Sequence, residues 1–193
     1  MADMDPNQRD REWCRQAVQG DKSAAESLLE AHYARVFAYH RRQVTSDADA
    51  ADLTQDTFQR VWKSLPKYGE SSSVGTWIHR IAYCTWIDWL RGRTAMEPIG
   101  ESGWQVQPCP LPSPLEAAAE AEEQQRLWNE VARLPEEERQ IIHLHFGQQL
   151  TQTQAADVLS MPLSTLKVRL NSALQRLRRR MSSPPNPSLN HSF

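Results

Sequence analysis

The stretch TQTQAADVLSMPLSTLKVRLNSALQRLRRRM, residues 151–181, decides how this chain reads. Thr151 to Leu159 has the make-up of a short helix, and Ser160-Met161-Pro162 stops it. Proline cannot continue a helix, and it biases Met161 toward extended backbone. A second helix follows, with Ser164 placed to cap it. It carries Leu166, Leu170, Ala173, Leu174, Leu177 and Met181 as one apolar stripe at helical spacing. The other side bears Thr165, Lys167, Arg169, Asn171, Ser172, Arg176, Arg178, Arg179 and Arg180, with no acidic residue among them. A short helix, a tight break and a basic exposed helix make a helix-turn-helix, whose second helix fits a DNA major groove.

The whole-chain charge hides this. Formal net charge is only −2 over 193 residues, yet Glu116, Glu120, Glu122, Glu123, Glu130 and Glu136 to Glu138 make the segment before the helix-turn-helix acidic. Segregated charge of this kind points to two surfaces and two partners. Cys14, Cys84 and Cys109 are widely spaced and odd in number, which indicates neither a disulfide framework nor a zinc site. No apolar run is long enough to span a bilayer, and the polar N-terminus is no signal peptide. The expectation is a cytoplasmic protein without membrane insertion.

Outward from residues 151–181, nearly every segment has helical periodicity and none reads as a strand. The fold class expected is all-α: two small helical domains joined by a flexible linker, the C-terminal one a helix-turn-helix. Ser23 with Glu26 has the capping-box pattern ahead of a helix carrying Leu28, Leu29, Tyr33, Val36 and Phe37. Ser46 caps the next, whose inner stripe is Leu53, Thr57, Phe58, Val61, Trp62 and Leu65. A third runs from about Val74 to Arg91, with Gly92 as its stop. Residues 96–114 hold five prolines and two glycines and show little periodicity, the composition of an extended linker. Helix resumes near Leu115, breaks at Leu134-Pro135, and runs again over Glu137 to Phe146. The domains expected are therefore 1–97, a linker 98–114, 115–181, and a disordered tail 182–193.

Two further constellations carry chemistry. On the helix from Asp47 to Leu65, Asp52, Gln55, Asp56, Gln59 and Lys63 fall at i, i+3, i+4, i+7 and i+11, a polar stripe opposite the apolar one. It reads as an ordinary solvated face or as a docking face whose carboxylates suit arginine forks. On the helix from Val74, the rings of Trp77, Tyr83, Trp86 and Trp89 point to more than one side and are interleaved with Arg80, Arg91 and Arg93. Aromatic faces beside guanidinium groups suit unpaired bases, although some of these rings belong in a core.

These residues resemble a known family. Asp49-Ala-Ala-Asp-Leu-Thr-Gln-Asp-Thr-Phe58 with Val61-Trp62 resembles the polymerase-binding helix of bacterial sigma factors. Gly75-Thr-Trp-Ile-His-Arg-Ile-Ala82 with Ile87-Asp-Trp-Leu-Arg91 is similar to their promoter-melting segment. Leu134-Pro-Glu-Glu-Glu-Arg139 and the helix-turn-helix are similar to their fourth region. Only regions 2 and 4 are present, as in the extracytoplasmic-function (ECF) subfamily. The resemblance implies that Asp52, Leu53, Gln55, Asp56 and Gln59 bind core RNA polymerase at the β′ clamp helices, while the C-terminal module sits on the β flap. It implies that Tyr68, Ser72, Trp77, Arg80, Tyr83, Cys84 and Arg91 meet melted −10 DNA. Thr151, Gln152, Thr165, Lys167, Val168, Arg169, Ser172 and Arg176 would meet the −35 duplex. It also implies an anti-sigma factor as regulator and a place at the nucleoid during initiation. The chain departs from the family at Cys84, at Val168, Asn171 and Ser172, and at Ser160, so neither promoter element is inherited from it.

A stand-alone helix-turn-helix regulator would account for residues 151–181 but leave the 52/55/56 stripe and the aromatic helix idle. An enzyme is disfavoured, because no nucleophile elbow, phosphate loop or metal-ligand spacing is present and His143 and His145 point to different helix faces. No cofactor or metal is expected. An all-helical adaptor is disfavoured by the uncompensated basic face from Lys167 to Arg180. Thr54, beside Asp52 and Asp56, is a plain helical threonine or a phosphorylation switch on the docking stripe.

Overall fold

A computed structural model of the chain describes residues 5–94 and 116–182. The linker 98–114 and the tail from residue 183 lie outside the described residues, whereas Ser182 closes the last helix. Among the described residues all regular structure is helical. The helices are α1 (Pro6–Val18), α2 (Lys22–Arg41), α3 (Asp47–Ser64), α4 (Val74–Thr94), α5 (Glu116–Ala132), α6 (Glu136–Ile142), α7 (Gln152–Val158) and α8 (Leu163–Ser182). A 3-10 turn, Leu65–Lys67, ends α3, and a π-helical turn, His143–Gly147, follows α6.

Local chemistry sets most boundaries. Pro6 opens α1 at the position where a missing N–H costs nothing. Ser46 accepts from the backbone N–H groups of Ala48 and Asp49 to cap α3, as the sequence predicts. Thr151 and Gln154 close a reciprocal capping box on α7. Ser160 follows α7 at φ 52°, a left-handed backbone that glycine adopts more freely.

Four expectations need correcting. No helix is foreseen before Ser23, yet α1 is formed and packs on α2. Asp21, not Ser23, caps α2, accepting from Ser23 N at 2.9 Å and Ala24 N at 3.3 Å. Gly92 stops nothing, since α4 runs through it to Thr94. Ser164 lies inside the first turn of α8, which starts at Leu163.

In the front half, α2, α3 and α4 enclose Leu28, Val36, Phe58, Val61, Val74 and Ile78. A second cluster holds Val44, Ala50, Leu53 and Trp86. In the rear half, Ile141, Leu144, Ala155, Leu166, Leu170, Ala173 and Leu177 pack between α6, α7 and α8. The sequence predicts separate cores on a tether, but here the apolar cluster runs through both halves. Helix α4 packs on α7, and α2 packs on the π turn.

Buried polar pairs also join the two halves. Tyr39 donates to Gln140 Oε1 at 2.8 Å, and Gln140 Nε2 donates to Gln43 Oε1 at 2.9 Å. His79 pairs with the Gly75 carbonyl and the Gln148 side chain. The Arg35 guanidinium donates to the Gln148 carbonyl, and the Arg42 guanidinium lies 4.4 Å over the Trp128 ring. Gln43, Gln140 and His79 are at most 2% exposed. A buried polar group left unpaired costs roughly 1–3 kcal/mol, so these pairings make the contact selective as well as close.

Candidate functional site

The stripe on α3 divides into an exposed ridge and a shared groove. Asp52, Gln55 and Gln59 face solvent. Asp56 is half-buried, and Arg60 ties it at 3.2 Å while donating to Asp88 of α4 at 2.6 Å. Asp52, Asp56, Arg60, Thr85, Asp88 and Trp89 thereby line one groove between α3 and α4. The hydrogen bond to Asp88, reinforced by Asp56, raises the Arg60 pKa above its ordinary value. An acidic surface with an internal arginine is already half-matched to a basic partner.

Leu53 is corrected: it is only 3% exposed and packs with Val44, Ala50 and Trp86, so it supports the ridge from below. Of the two readings of Thr54, the plain helical threonine fits the fold. It is 0% exposed and donates to the Ala50 carbonyl at 2.7 Å, out of reach of a modifying enzyme.

Four of the residues foreseen to meet melted DNA form one patch. The Tyr68 ring lies 4.8 Å from that of Trp77, and the Tyr68 hydroxyl donates to the Ser72 carbonyl at 2.7 Å. Arg80 stands exposed one turn beyond Trp77, at i+3 on the same face. Cys84 and Arg91 continue that face, both exposed, with Tyr83 half-buried at its edge. Trp86 is fully buried and belongs to the core, whereas Trp89 lies half-buried beneath the Arg93 guanidinium at 4.8 Å. Core packing thus takes one of the four rings on α4 entirely, and the other three are half-buried against it.

The recognition helix differs most from the sequence reading. Lys167 and Val168 are exposed, Val168 by 69%, an unusual place for an aliphatic side chain and a good one for a thymine methyl. Arg169, however, pairs with Glu137 at 2.6 Å, Arg176 with Glu138 at 3.3 Å, and Ser172 donates to Glu138 at 2.8 Å. Arg180 lies 3.6 Å from Glu130. The basic face is therefore compensated in part, at Arg169, Arg176 and Arg180, by acidic side chains from α5 and α6. Thr151 spends its hydroxyl on the α7 cap, and Gln152 and Thr165 are half-buried. Asn171, Gln175 and Arg178 are exposed and continue the Lys167 stripe at i+4, i+8 and i+11. Gln175 and Arg178 were not singled out as readers, although counting turns from Lys167 finds them.

These pairs make a prediction. Glu137→Gln with Glu138→Gln frees two arginines and removes two negative charges beside the groove-facing helix. Binding of duplex DNA by α8 is expected to tighten by roughly threefold to tenfold, with a steeper salt dependence. Unchanged or weaker binding across a salt titration means that the glutamates serve only to position Arg169 and Arg176.

Among the described residues no helix is long and apolar enough to cross a membrane, and no cluster of side chains is arranged to hold a metal ion. Two family models match the chain in order, Sigma-70 region 2 over residues 28–95 and Sigma-70 region 4 over residues 131–179. The ECF RNA polymerase sigma factor RpoE of Cereibacter sphaeroides is 32% identical over 163 residues, covering 84% of this chain and 88% of that protein. Two solved structures share the fold. One is CnrH in complex with the cytosolic domain of CnrY, with TM-score 0.67 and 21% identity over 90% of this chain and 97% of that one. The other is the sigma factor RpoE of Bartonella quintana in complex with the anti-sigma factor NepR, with TM-score 0.67 and 18% identity over 81% and 95%. An acidic ridge on α3, an aromatic and basic face on α4 and an exposed recognition helix coincide with the matched regions in order, and the chain belongs to the ECF family of RNA polymerase sigma factors, which start transcription at promoters.

Proposed function

We propose that the family's division of labour falls on specific residues here. Asp52, Gln55, Asp56 and Gln59 dock on the β′ clamp helices of core polymerase. The loop 68–73, with Trp77, Arg80, Cys84 and Arg91, captures unpaired −10 bases. Lys167, Val168, Asn171 and Arg178 face the −35 duplex. The front module is 1–97 and the rear one 115–181, with 98–114 between them and the C-terminal module on the β flap. The observation that carries this assignment is exposure: the α3 ridge, the outer face of α4 and the Lys167 stripe of α8 stay open while their opposite faces are buried.

The two halves have to part for this work. Elements named −10 and −35 lie roughly 25 base pairs apart, about 85 Å at 3.4 Å per pair, whereas α4 and α7 are in contact. The packed arrangement is therefore a state outside the promoter complex. By likeness to the Bartonella protein held by an anti-sigma factor, a partner of that kind covers the polymerase-docking surface until a signal releases it. The setting is the bacterial cytoplasm, at the nucleoid during initiation.

Run-off transcription with purified core polymerase over a promoter library tests the assignment. The expected result is initiation from promoters sharing one −35 and one −10 element, with poor duplex binding by the chain alone. No initiation from any member of the library overturns it.

A further inference from the structure

Helix α1 lies ahead of the matched region 2, which begins at residue 28, and no role above uses it. It is nonetheless firmly attached. The Asp10 carboxylate meets the His32 ring at 2.8 Å in a buried contact, and Cys14 is 4% exposed in the core. Three of its polar side chains, Asn7, Arg11 and Arg15, reach one place, the loop between α3 and α4. The Arg11 guanidinium donates to the Glu70 carbonyl at 3.2 Å and lies 3.4 Å from the Glu70 carboxylate. Arg15 Nε donates to the same carboxylate at 3.2 Å. Asn7 Oδ1 accepts from the backbone N–H of Val74, the first residue of α4, at 3.3 Å.

Glu70 is the point in that loop where a tie is needed. Its φ is 54°, the left-handed region, where a residue with a Cβ is strained by roughly 1–2 kcal/mol. Such a conformation persists only where its surroundings over-determine it. The surroundings that do so are two arginines from α1, one holding the backbone carbonyl and both holding the side chain. At the other end Asn7 and Ser73 cap N–H groups in the first turn of α4, Ser73 accepting from Thr76 N at 3.1 Å. Between these ties Ser71 stands exposed and Ser72 half-buried, beside the Tyr68 and Trp77 rings.

We propose that α1 is a positioning element for −10 recognition, in which Asn7, Arg11 and Arg15 hold residues 70–74 in the shape that receives an unpaired base. The inference rests on the reading of loop 68–73 as the capture site. A flipped base returns its unstacking cost only in a pocket that is already formed, so a loop free to leave the left-handed turn at Glu70 discriminates bases poorly. Arg11 and Glu70 are about a third exposed and Arg15 more than half. Each tie alone is therefore modest, and the effect falls on selectivity before it falls on folding.

The test uses the full chain with Arg11→Ala and Arg15→Ala together, assembled with core polymerase. Binding is measured on forked promoter probes carrying each of the four bases at the captured −10 position. Preference between the best and worst base is expected to fall roughly threefold to tenfold, the combined worth of two partly exposed ion pairs and one charged hydrogen bond. Affinity for core polymerase and for −35 duplex is expected to stay unchanged, and Arg11→Lys with Arg15→Lys should restore part of the preference, because lysine keeps the charge but loses the fork. Tyr68→Ala runs in parallel as the test of the loop itself. If Tyr68→Ala alters base preference and the arginine pair does not, α1 only packs, and the proposal fails while the capture site stands. If neither alters it, the loop is not the capture site and both fail. Equal loss of core affinity and base preference in the arginine pair also overturns the proposal, since α1 then supports the whole module.

Discussion

Lowering the pH from 7.5 to 5 is expected to destabilise the folded chain by roughly 6 kcal/mol, about 2 kcal/mol for each of three buried histidines. His40 is pushed down to about 3 by burial and by the neighbouring His79. Burial lowers His79 to about 4, against the opposing hydrogen bonds to Gly75 and Gln148. His143 is lowered to about 3 by burial, then by Arg42 and Arg139. In each case burial disfavours the charged ring in the fold, while the unfolded chain takes up its proton near the ordinary value of 6.5. The stabilisation is therefore complete above about pH 6.5, declines as pH falls below it, and is exhausted only near pH 3 to 4. Small domains are stable by only about 5–15 kcal/mol, so unfolding at pH 5 should need little denaturant. Urea titrations at pH 7.5, 6.5, 5.5 and 5 measure this. His143→Phe should lessen the slope by about one proton, since Phe can keep the stack on Trp128, where the rings lie 5.2 Å apart and nearly parallel. A midpoint that does not move between pH 7.5 and pH 5 contradicts the burial of these rings.

The helices α2 to α8 are legible in the sequence because caps, breakers and apolar stripes act locally. Thr151 and Gln154 announce α7 three residues apart, and Pro162 ends what precedes it. Helix α1 escapes because its inner face is made from Asp10, Cys14 and Trp13, a mix without an aliphatic stripe. Gly92 misleads because a glycine stops a helix by turning left-handed, and this exposed one keeps helical backbone at the modest cost of roughly 1 kcal/mol. The site was legible in outline only. Spacing along α3 finds Asp52, Gln55 and Gln59 and offers the i,i+4 pair of Asp56 with Arg60, but it cannot tell that Asp88 of α4 shares that arginine. The same blindness explains the basic face of α8. Its charges are unopposed along the chain and opposed in space by Glu130, Glu137 and Glu138. Buried Gln43, Gln140 and Gln148 carry no sequence signal, because a polar side chain is buried only when the partner it needs comes from a distant segment.

Asp52→Lys combined with Gln55→Ala is expected to weaken binding to core polymerase by roughly a hundredfold, on the scale of losing a central charged contact and a neighbouring polar one. Both side chains are exposed on the α3 ridge and neither supports the core, so circular dichroism and the unfolding midpoint should be unchanged. Asp56→Asn sets the scale from inside the same groove. Arg60 already neutralises much of the Asp56 charge at 3.2 Å and holds Asp88 as well, so losing that carboxylate should cost only about threefold. The ordering, with Asp52 and Gln55 far above Asp56, follows from which side chain is already paired, since Asp56 shares Arg60 with Asp88 of α4. Fluorescence titration of labelled core polymerase with the unmodified chain and each of the two variants gives the three affinities. If Asp56→Asn proves the costliest, the partner displaces Arg60 on docking and the groove, rather than the ridge, is the contact. If none of them alters core affinity while run-off transcription still fails, the α3 stripe acts after assembly and docking lies elsewhere on the front module.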